Sequence, residues 1–370
     1  KGGALIMSTQ KVWAIIGGGN GGQSMAGHLA LLGQKVRLYD VMQKTVDELN
    51  ETKTIALHHA VEGVGTIEFA TTDIGEAMDG ADNIILVLPS IYHESMARKM
   101  VPHLRDGQVV LLHPEASCGA IAFRKVMKEM GCTADVVIGA ACTLLYSTRI
   151  QKNGEVYIFG IKNAVPIAAL PATDNARLAA AICDVMHWFV LTDNVLMTSI
   201  DNLNAMMHGA PMILNTSRIE ADPPQDYLYY HDGITPSIGK FIETMDKERI
   251  AIAKALGFHQ RTICEEYIDM YSCGDETTPL YQLCKNNPGY DGIKCAKTLK
   301  TRYVLEDIPY SLVPLHALGK VADVPTPCMD AIITIGRAMM GDEMDEGRTA
   351  SALGLDGMTK EQFLNYVNNG

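Results

Sequence analysis

The stretch that most constrains the fold of this chain is KVWAIIGGGNGGQSMAGHLALLGQKVRLYD, residues 11–40. Residues 11–16 predict a short buried strand because nearly all of them are apolar. The glycines that follow have the spacing GxGxxG, and they are Gly17, Gly19 and Gly22. The helix predicted next has an apolar side formed by Met25, Leu29 and Leu32. A second strand then ends at Asp40, which completes the strand, turn, helix and strand pattern of dinucleotide-binding folds.

Each part of this pattern has a physical role in binding a dinucleotide. The glycines allow a tight turn and let the backbone approach a pyrophosphate, while the start of the helix, at Asn20, stabilises the phosphate charge. Asp40 is placed to bind the ribose hydroxyls and to repel a 2′-phosphate, which favours NAD and leaves NADP as the alternative. The competing interpretation is a glycine-rich turn in another kind of α/β protein.

Strands and helices continue to alternate through the first half of the chain. Buried strands are predicted at 83–89, 108–114 and 135–141, with helices between them, and a hairpin is predicted to turn at Asn153 and Gly154. This alternation indicates an α/β fold with a Rossmann-type, doubly wound parallel sheet. His93 and His113 follow two of the strands, and we interpret both as structural loop histidines.

The second half of the chain is predicted to be an all-α domain, because helical periodicity dominates and strand signals are few. The helical segments are 198–220, 236–256, 260–271, 277–285 and 326–340. We therefore divide the chain into a leader or cloning remnant at 1–10, a Rossmann dinucleotide-binding domain at 11–190 and a helical substrate domain at 191–370.

Composition excludes several classes of partner. The formal net charge of −12 argues against nucleic acid or an anionic membrane, and no apolar run is long enough to span a bilayer. The nine cysteines form no CxxC pair and no cluster with histidine at zinc spacing, so we expect no disulfide framework and no metal. Free thiols and twenty methionines are typical of a cytoplasmic protein.

Three features of the second half are candidates for proton transfer and anion binding. His208 lies in NLNAMMHGAPMILN, predicted to be one helix, and an imidazole ordinarily titrates near neutral pH. Arg302 and Asp307 lie in KTRYVLEDIPYSLVP, where a guanidinium can bind a carboxylate and an acid can orient an imidazole. A helix start at Thr235 and Pro236 is the third candidate. Composition alone favours the interpretation of His208 as a core histidine packed among methionines.

The chain resembles the octopine/nopaline (opine) dehydrogenases over nearly its whole length from about residue 11. The resemblance is carried by GGGNGG, AFRKVM, NAMMHGAPMILN, GITPSIGKFIETMDKERIAIAKALG, KTRYVLEDIPYSLVPL and VPTPCMDAII. It implies an enzyme that joins the amine of an amino acid to a 2-oxo acid such as pyruvate and reduces the imine with NAD(P)H. It implies that His208 exchanges the proton, that Asp307 pairs with it and that Arg302 binds a substrate carboxylate.

The resemblance also implies that Gly17, Gly19, Gly22 and Asp40 form the cofactor fingerprint. Because the substrates carry several carboxylates, Arg149 and Arg218 are further candidates to bind them. Ala140 and Glu115 depart from the pattern of the family, and we expect that they alter the substrate pocket.

Two alternative functions stay open at this point. One is a 2-oxo acid reductase of the ketopantoate reductase type, which would require a catalytic lysine such as Lys240 or Lys254. The other is a non-catalytic NAD-binding sensor. A homodimer formed through the helical domain is also left open.

Overall fold

The computed structural model describes residues 10–370, which pack into two compact units. The first unit comprises the chain up to Glu115 together with Gly119–Thr198 and Asn365–Gly370. The second comprises Ala116–Cys118 and Ser199–Leu364. The predicted domain boundary between residues 190 and 191 stays a prediction. The predicted leader at 1–10 lies, apart from Gln10, outside the described residues.

The first unit contains an eight-stranded sheet in the order β12-β11-β8-β7-β6-β1-β2-β5. Neighbouring strands are parallel throughout, except that β11 runs antiparallel to β8. Its strands are β1 (Val12–Ile16), β2 (Lys35–Tyr39), β5 (Phe69–Thr71), β6 (Asn83–Leu86), β7 (Val109–Leu112), β8 (Val137–Ala141), β11 (Val165–Leu170) and β12 (Phe189–Leu191). The strands predicted as apolar runs are buried, as expected of a sheet covered on both faces. The predicted α/β fold class is confirmed.

A smaller four-stranded sheet in the same unit has the order β4-β3-β10-β9. Its strands are β3 (Thr54–His59), β4 (Gly63–Thr66), β9 (Tyr146–Lys152) and β10 (Glu155–Ile161). The predicted hairpin at Asn153 and Gly154 is confirmed, because β9 and β10 pair antiparallel on either side of it. The pairing of β10 with β3 was not predicted, because it joins segments about a hundred residues apart.

The helices of the first unit cover the large sheet. They are α1 (Asn20–Leu31), α2 (Gln43–Thr52), α3 (Ile74–Met78), α4 (His93–Met100), α5 (Gly119–Glu129) and α6 (Asn175–Ile182). Met25 and Leu29 on α1 are fully buried in a core that includes Trp13. Leu32 was predicted to share this face, but it is 40% exposed because it caps the carboxyl end of the helix.

The second unit is helical, as predicted. Its longer helices are α11 (Pro236–Ala255), α12 (Ile263–Tyr271), α13 (Leu280–Asn286), α15 (Val313–Val321) and α16 (Pro327–Met340). Its short helices are α8 (Asn204–Met207), α9 (Gly209–Leu214), α10 (Thr216–Ile219), α14 (Arg302–Leu305) and α17 (Ala350–Leu353), and a π-helix spans Ile308–Leu312. Two further helices, α7 (Val195–Ile200) and α18 (Lys360–Asn369), include the points where the two units divide. Within residues 10–370 no helix is long and apolar enough to cross a membrane.

The prediction of one long helix over 198–220 was wrong, because this segment forms four short helices. Pro211 has no N–H and therefore cannot donate to the carbonyl of Met207, one turn earlier. The hydroxyl of Tyr229 donates instead to the carbonyl oxygens of Met207 and His208, at 3.0 and 2.7 Å. His208 consequently lies at the junction of α8 and α9 and not within a continuous helix.

Candidate active site

The glycine-rich turn lies between β1 and α1, and two of its glycines are required by close contacts. Gly17 has φ +116°, and a Cβ there would lie 2.4 Å from the carbonyl oxygen of Val87. A Cβ on Gly22 would lie 1.7 Å from the carbonyl oxygen of Gly17. A Cβ on Gly19 would meet nothing within 4 Å. The turn is therefore closed on its inner side, while open space remains beside Gly19 for an approaching ligand.

Asp40 reaches this turn from the end of β2. Its Oδ2 accepts a hydrogen bond from the backbone N–H of Gly18 at 2.6 Å, and its Oδ1 accepts one from Met42 at 2.8 Å. A carboxylate has about four acceptor positions, so this arrangement leaves acceptors for ribose hydroxyls. The turn and the acid together fit a dinucleotide with an unphosphorylated adenosine ribose.

The polar side of α1 packs against the four-stranded sheet, which the sequence did not predict. Gln23 is fully buried; its Nε2 donates to the carbonyl of Gly18 and to Asn153 Oδ1, and its Oε1 accepts from the N–H of Gly154. Asn20, predicted to contact the cofactor, accepts through Oδ1 from the N–H of Ile150. Asn20 thus braces the start of α1, and a contact between its side chain and the cofactor stays a prediction.

His208 and Asp307 form a buried pair in the second unit, although they are 99 residues apart in the sequence. Asp307 Oδ2 lies 2.7 Å from His208 Nδ1, and the two residues are 7% and 9% exposed. Asp307 directly precedes the π-helix, a helix type found frequently at functional sites. An ionised carboxylate can only accept, so Nδ1 carries the proton in this hydrogen bond. That leaves Nε2 as the ring nitrogen able to exchange a proton, as in other acid–imidazole pairs.

Tyrosines surround the imidazole of His208, and none of them was predicted as part of the site. The ring of Tyr303 stacks on the imidazole with 3.9 Å between centroids, and the hydroxyl of Tyr230 lies 3.2 Å from Nε2. Burial raises the pKa of Tyr230, Tyr229 and Tyr303 above the ordinary value for tyrosine, so their hydroxyls are protonated at neutral pH. The aromatic run YLYY at 227–230 was the one sequence feature that could have indicated tyrosines in this site.

Arg302 directly precedes Tyr303, on α14, which packs against α9. Its Nε donates to Glu306 Oε2 at 2.6 Å, so the ion-pair partner of Arg302 is Glu306 while Asp307 pairs with His208. The side chain is 72% exposed, and within residues 10–370 its Nη atoms make no hydrogen bond. The Nη edge of the guanidinium is therefore available for a carboxylate.

The two other candidate arginines make contacts of their own. Arg149 is exposed on β9, in the first unit, and its Nη1 donates to the carbonyl of Thr148. Arg218 belongs to the second unit, but its guanidinium lies over the ring of Tyr227 at 3.8 Å and donates to the carbonyl of Asp232. Arg302 thus neighbours Tyr303, the residue stacked on His208, while substrate binding by Arg149 and Arg218 stays a prediction.

Glu115 and Ala140, expected to alter the substrate pocket, are both fully buried in the first unit. Glu115 accepts hydrogen bonds from the hydroxyl of Thr198 at 2.6 Å and from the N–H of Ala120 at 3.1 Å, and Ala140 lies within β8. That these two residues alter the substrate pocket stays a prediction.

The loop histidines His93 and His113 are also buried, which agrees with their structural interpretation. His93 Nε2 bonds to the carbonyl of Leu88, and His113 Nε2 accepts from the N–H of Leu145. Burial lowers the pKa of His113 to about 3, so its ring stays neutral.

Three further observations concern the helix start, metal binding and the cysteines. The helix start at Thr235 and Pro236 is confirmed, and the Thr235 hydroxyl caps the N–H of Ile238 at 3.4 Å. In residues 10–370 no three His, Cys, Asp or Glu side chains are grouped to bind a metal ion. All nine cysteines lie in this range and are free thiols.

Comparison with known proteins identifies relatives that match both units. Residues 12–115 match the NAD-dependent glycerol-3-phosphate dehydrogenase N-terminus, and residues 191–340 match the NAD/NADP octopine/nopaline dehydrogenase alpha-helical domain. The chain is 38% identical to an opine dehydrogenase of Arthrobacter sp. (strain 1C) over 95% of this chain and 98% of that protein. A vitopine synthase of Allorhizobium ampelinum (strain ATCC BAA-846 / DSM 112012 / S4) is 22% identical over 96% of this chain and 98% of its own.

The fold also matches a solved structure. Octopine dehydrogenase with NADH and L-arginine superposes with a TM-score of 0.80 at 21% identity, over 96% of this chain and 98% of that one. This likeness shows a shared fold.

Proposed function

The chain belongs to the opine dehydrogenase family and is an NAD(P)-dependent oxidoreductase acting on CH–NH groups, and we propose that it condenses an amino acid with a 2-oxo acid such as pyruvate. The amine and the ketone lose water to form an imine. Bound NADH supplies the hydride that reduces the imine carbon. The residues of this chain must therefore bind a carboxylate, supply a proton and position the cofactor.

His208 supplies the proton. An imine is reduced far more readily when its nitrogen is protonated, and Nε2 is the imidazole nitrogen that can carry the exchanging proton. Asp307 fixes the orientation of the ring and stabilises the imidazolium by its charge. The buried His208–Asp307 pair is the observation that supports this proposal, because a carboxylate on Nδ1 orients the imidazole and leaves Nε2 to exchange the proton.

Arg302 binds the carboxylate of the 2-oxo acid through its Nη edge. Its hydrogen bond to Glu306 fixes the guanidinium without using that edge. In the first unit, the glycine-rich turn and Asp40 bind the dinucleotide, and the Asp40 carboxylate favours NADH over NADPH. We further propose that the enzyme acts on small molecules in the cytoplasm and not on nucleic acid, and a homodimer formed through the helical domain stays open.

The test is to mix the protein with NADH, pyruvate and a panel of amino acids and to follow the loss of NADH. We expect oxidation that depends on the amine and a product that contains both substrates. Oxidation without any amine would instead indicate a simple 2-oxo acid reductase, and NADH binding without turnover would indicate a sensor.

His208→Ala provides the matched test of the proton donor, with His259→Ala, an exposed histidine in the same unit, as its control. Turnover should fall by about 10² to 10⁴ in His208→Ala, the range for a general acid–base, while NADH affinity persists. Near-normal turnover of His208→Ala would remove this residue from the mechanism.

A further inference from the structure

The backbone of His208 lies at a break in the helical hydrogen-bond pattern. Pro211 has no N–H to donate to the carbonyl of Met207, one turn earlier. The backbone nitrogen of Met212 lies 3.4 Å from the carbonyl oxygen of His208, which is long for an N–H···O hydrogen bond. Of two successive carbonyls, one therefore lacks its helical donor and the other has a weak one. The helix alone does not fix the residue that carries the imidazole.

The hydroxyl of Tyr229 takes the place of the missing donor. It lies 3.0 Å from the carbonyl oxygen of Met207 and 2.7 Å from that of His208, so that one proton is shared between two acceptors. Burial raises the pKa of Tyr229 well above its ordinary value, so the hydroxyl stays protonated and able to donate. Its bond to the His208 carbonyl is shorter than the bond from Met212. The tyrosine therefore holds this carbonyl more closely than the helix does.

Tyr229 is itself held on several sides. Its N–H donates to the carbonyl of Ile293 at 2.8 Å, and its ring lies 4.9 Å, between centroids, from the rings of both Tyr230 and Tyr303. The backbone of Gly233 passes so close that a Cβ there would lie 2.3 Å from the carbonyl oxygen of Tyr229. Tyr229 is 1% exposed. The hydroxyl consequently cannot leave the two carbonyls unless the loop that carries it moves.

Asn215 ties the same loop to the other end of α9. Its Nδ2 donates to the carbonyl oxygens of Pro211 at 2.8 Å and of Gly233 at 2.9 Å, and the residue is buried. The loop 227–233 is thus bound to α9 at both ends, through Tyr229 at the start of the helix and through Asn215 at its end. Both ties are made by buried polar side chains, which are costly to leave without partners.

We propose that Tyr229 is a positioning residue, whose hydroxyl holds the backbone of His208 so that the imidazole stays on Asp307. This inference rests on the proposed function, in which His208 supplies the proton. A catalytic side chain has to be held within about 0.5 Å of its productive position, and the 2.7 Å hydrogen bond from Nδ1 to Asp307 leaves little freedom for the backbone to shift. Tyr229 acts through this orientation, and Asn215 supports it by fixing the loop.

The test variant is Tyr229→Phe, which keeps the ring and removes only the hydroxyl. Its matched control is Tyr227→Phe, which removes a second buried hydroxyl of the same aromatic run, one that accepts a hydrogen bond from the thiol of Cys295. We expect kcat to fall by about 10- to 100-fold in Tyr229→Phe, the size of effect that a small misplacement of a catalytic group produces. KM for NADH should stay within about twofold, because the glycine-rich turn belongs to the first unit. Tyr227→Phe should behave as wild type.

Combining the variant with Asp307→Asn separates positioning from a general loss of structure. If Tyr229 acts through the His208–Asp307 pair, removing its hydroxyl should change kcat by less than about twofold in the Asp307→Asn background. Losses that multiply in the double variant would give Tyr229 a purely structural role and overturn the proposal. A wild-type kcat in Tyr229→Phe alone would overturn it as well.

A second measurement does not depend on turnover. In protein labelled with nitrogen-15 histidine, the His208 Nδ1 proton should exchange with water about tenfold or more faster in Tyr229→Phe than in wild type or Tyr227→Phe, because a loosened pair protects this proton less. Unchanged exchange would contradict the positioning role. If the wild type fails to oxidise NADH with every pair of substrates, the proposed function fails, while the exchange rates still decide about Tyr229. If Tyr229→Phe does not fold, Asn215→Leu, which unties the same loop, gives the same readout.

Discussion

Adding one methyl group to Gly19 should separate cofactor binding from folding. In Gly19→Ala the new Cβ meets no protein atom within 4 Å, and the residue has φ −78° and ψ −168°, which alanine adopts readily. Alanine restricts the unfolded chain, which stabilises the fold by about 0.4–1 kcal/mol. Gly19 is also the N-cap of α1, where alanine is disfavoured by a similar amount. The two effects offset each other, so the free energy of unfolding should change by less than about 1 kcal/mol.

Binding of NADH should respond differently, because we expect the pyrophosphate to occupy the open space beside Gly19. A methyl group forced into a filled site costs about 1–3 kcal/mol, which corresponds to a rise in Kd of about 5- to 150-fold. Kd is measured by titrating the protein and following NADH fluorescence, and stability by urea unfolding. Gly22→Ala is the contrasting variant, because its Cβ would lie 1.7 Å from the carbonyl oxygen of Gly17 and should weaken both folding and binding.

An unchanged Kd in Gly19→Ala would refute this reasoning, because it would mean that the cofactor does not approach the turn at this residue. A variant that loses both stability and binding would also contradict it, since the structure shows room for the methyl group.

Three further predictions concern the acids and a buried histidine. Asp307→Asn should lower kcat by about 10² to 10⁴ with little change in KM, because the amide carries no charge to stabilise an imidazolium; a normal kcat would exclude the pair from catalysis. Asp40→Ala should raise the Kd of NADH about tenfold or more and reduce the preference over NADPH, and an unchanged preference would place the ribose contact elsewhere. Burial lowers the pKa of His28 to about 4 from 6.5 in the unfolded chain, so stability should fall as the pH drops from 6.5 towards 4, by about 2 kcal/mol at pH 5. Burial raises the pKa of Asp201 to about 6, and this carboxyl therefore increases stability as the pH falls. To isolate the effect of His28, the melting temperatures of His28→Gln and wild type are compared as a function of pH. Equal loss of stability in acid would contradict the assignment to His28.

Local patterns in the sequence predicted much of the first unit. The strand, glycine-rich turn and helix of residues 12–31 are specified by neighbouring residues, and the structure places them within one or two residues of the prediction. In the four-stranded sheet, the hairpin of β9 and β10 was predicted because its strands are neighbours in the sequence. The pairing of β10 with β3 was not predicted because these strands are far apart in the sequence. Periodicity reports which residues face a core, and it contains no information on which distant strand becomes a neighbour.

The site in the second unit shows the same limit. The pairing of His208 with Asp307 followed from the resemblance to a family and not from spacing. Periodicity also wrongly predicted one helix over 198–220. Pro211 leaves the carbonyl of Met207 without its helical donor, and the hydroxyl that replaces this donor belongs to Tyr229, eighteen residues after Pro211. The ion pair of Arg302 with Glu306, one helical turn away, was not predicted either. Contacts made by Tyr230 and Tyr303 are of this long-range kind.

The buried amide of Gln23 has a consequence for protein engineering. It ties the nucleotide-binding turn to the hairpin at Asn153 and Gly154, about 130 residues later in the chain. Residues 12–40 transplanted alone into another α/β protein would keep the glycine spacing and Asp40 but leave this amide in an apolar interior with most of its partners missing. An unpaired buried amide costs about 1–3 kcal/mol. The turn therefore cannot be transferred to another protein by itself. A successful graft has to include the hairpin or replace Gln23 with an apolar residue.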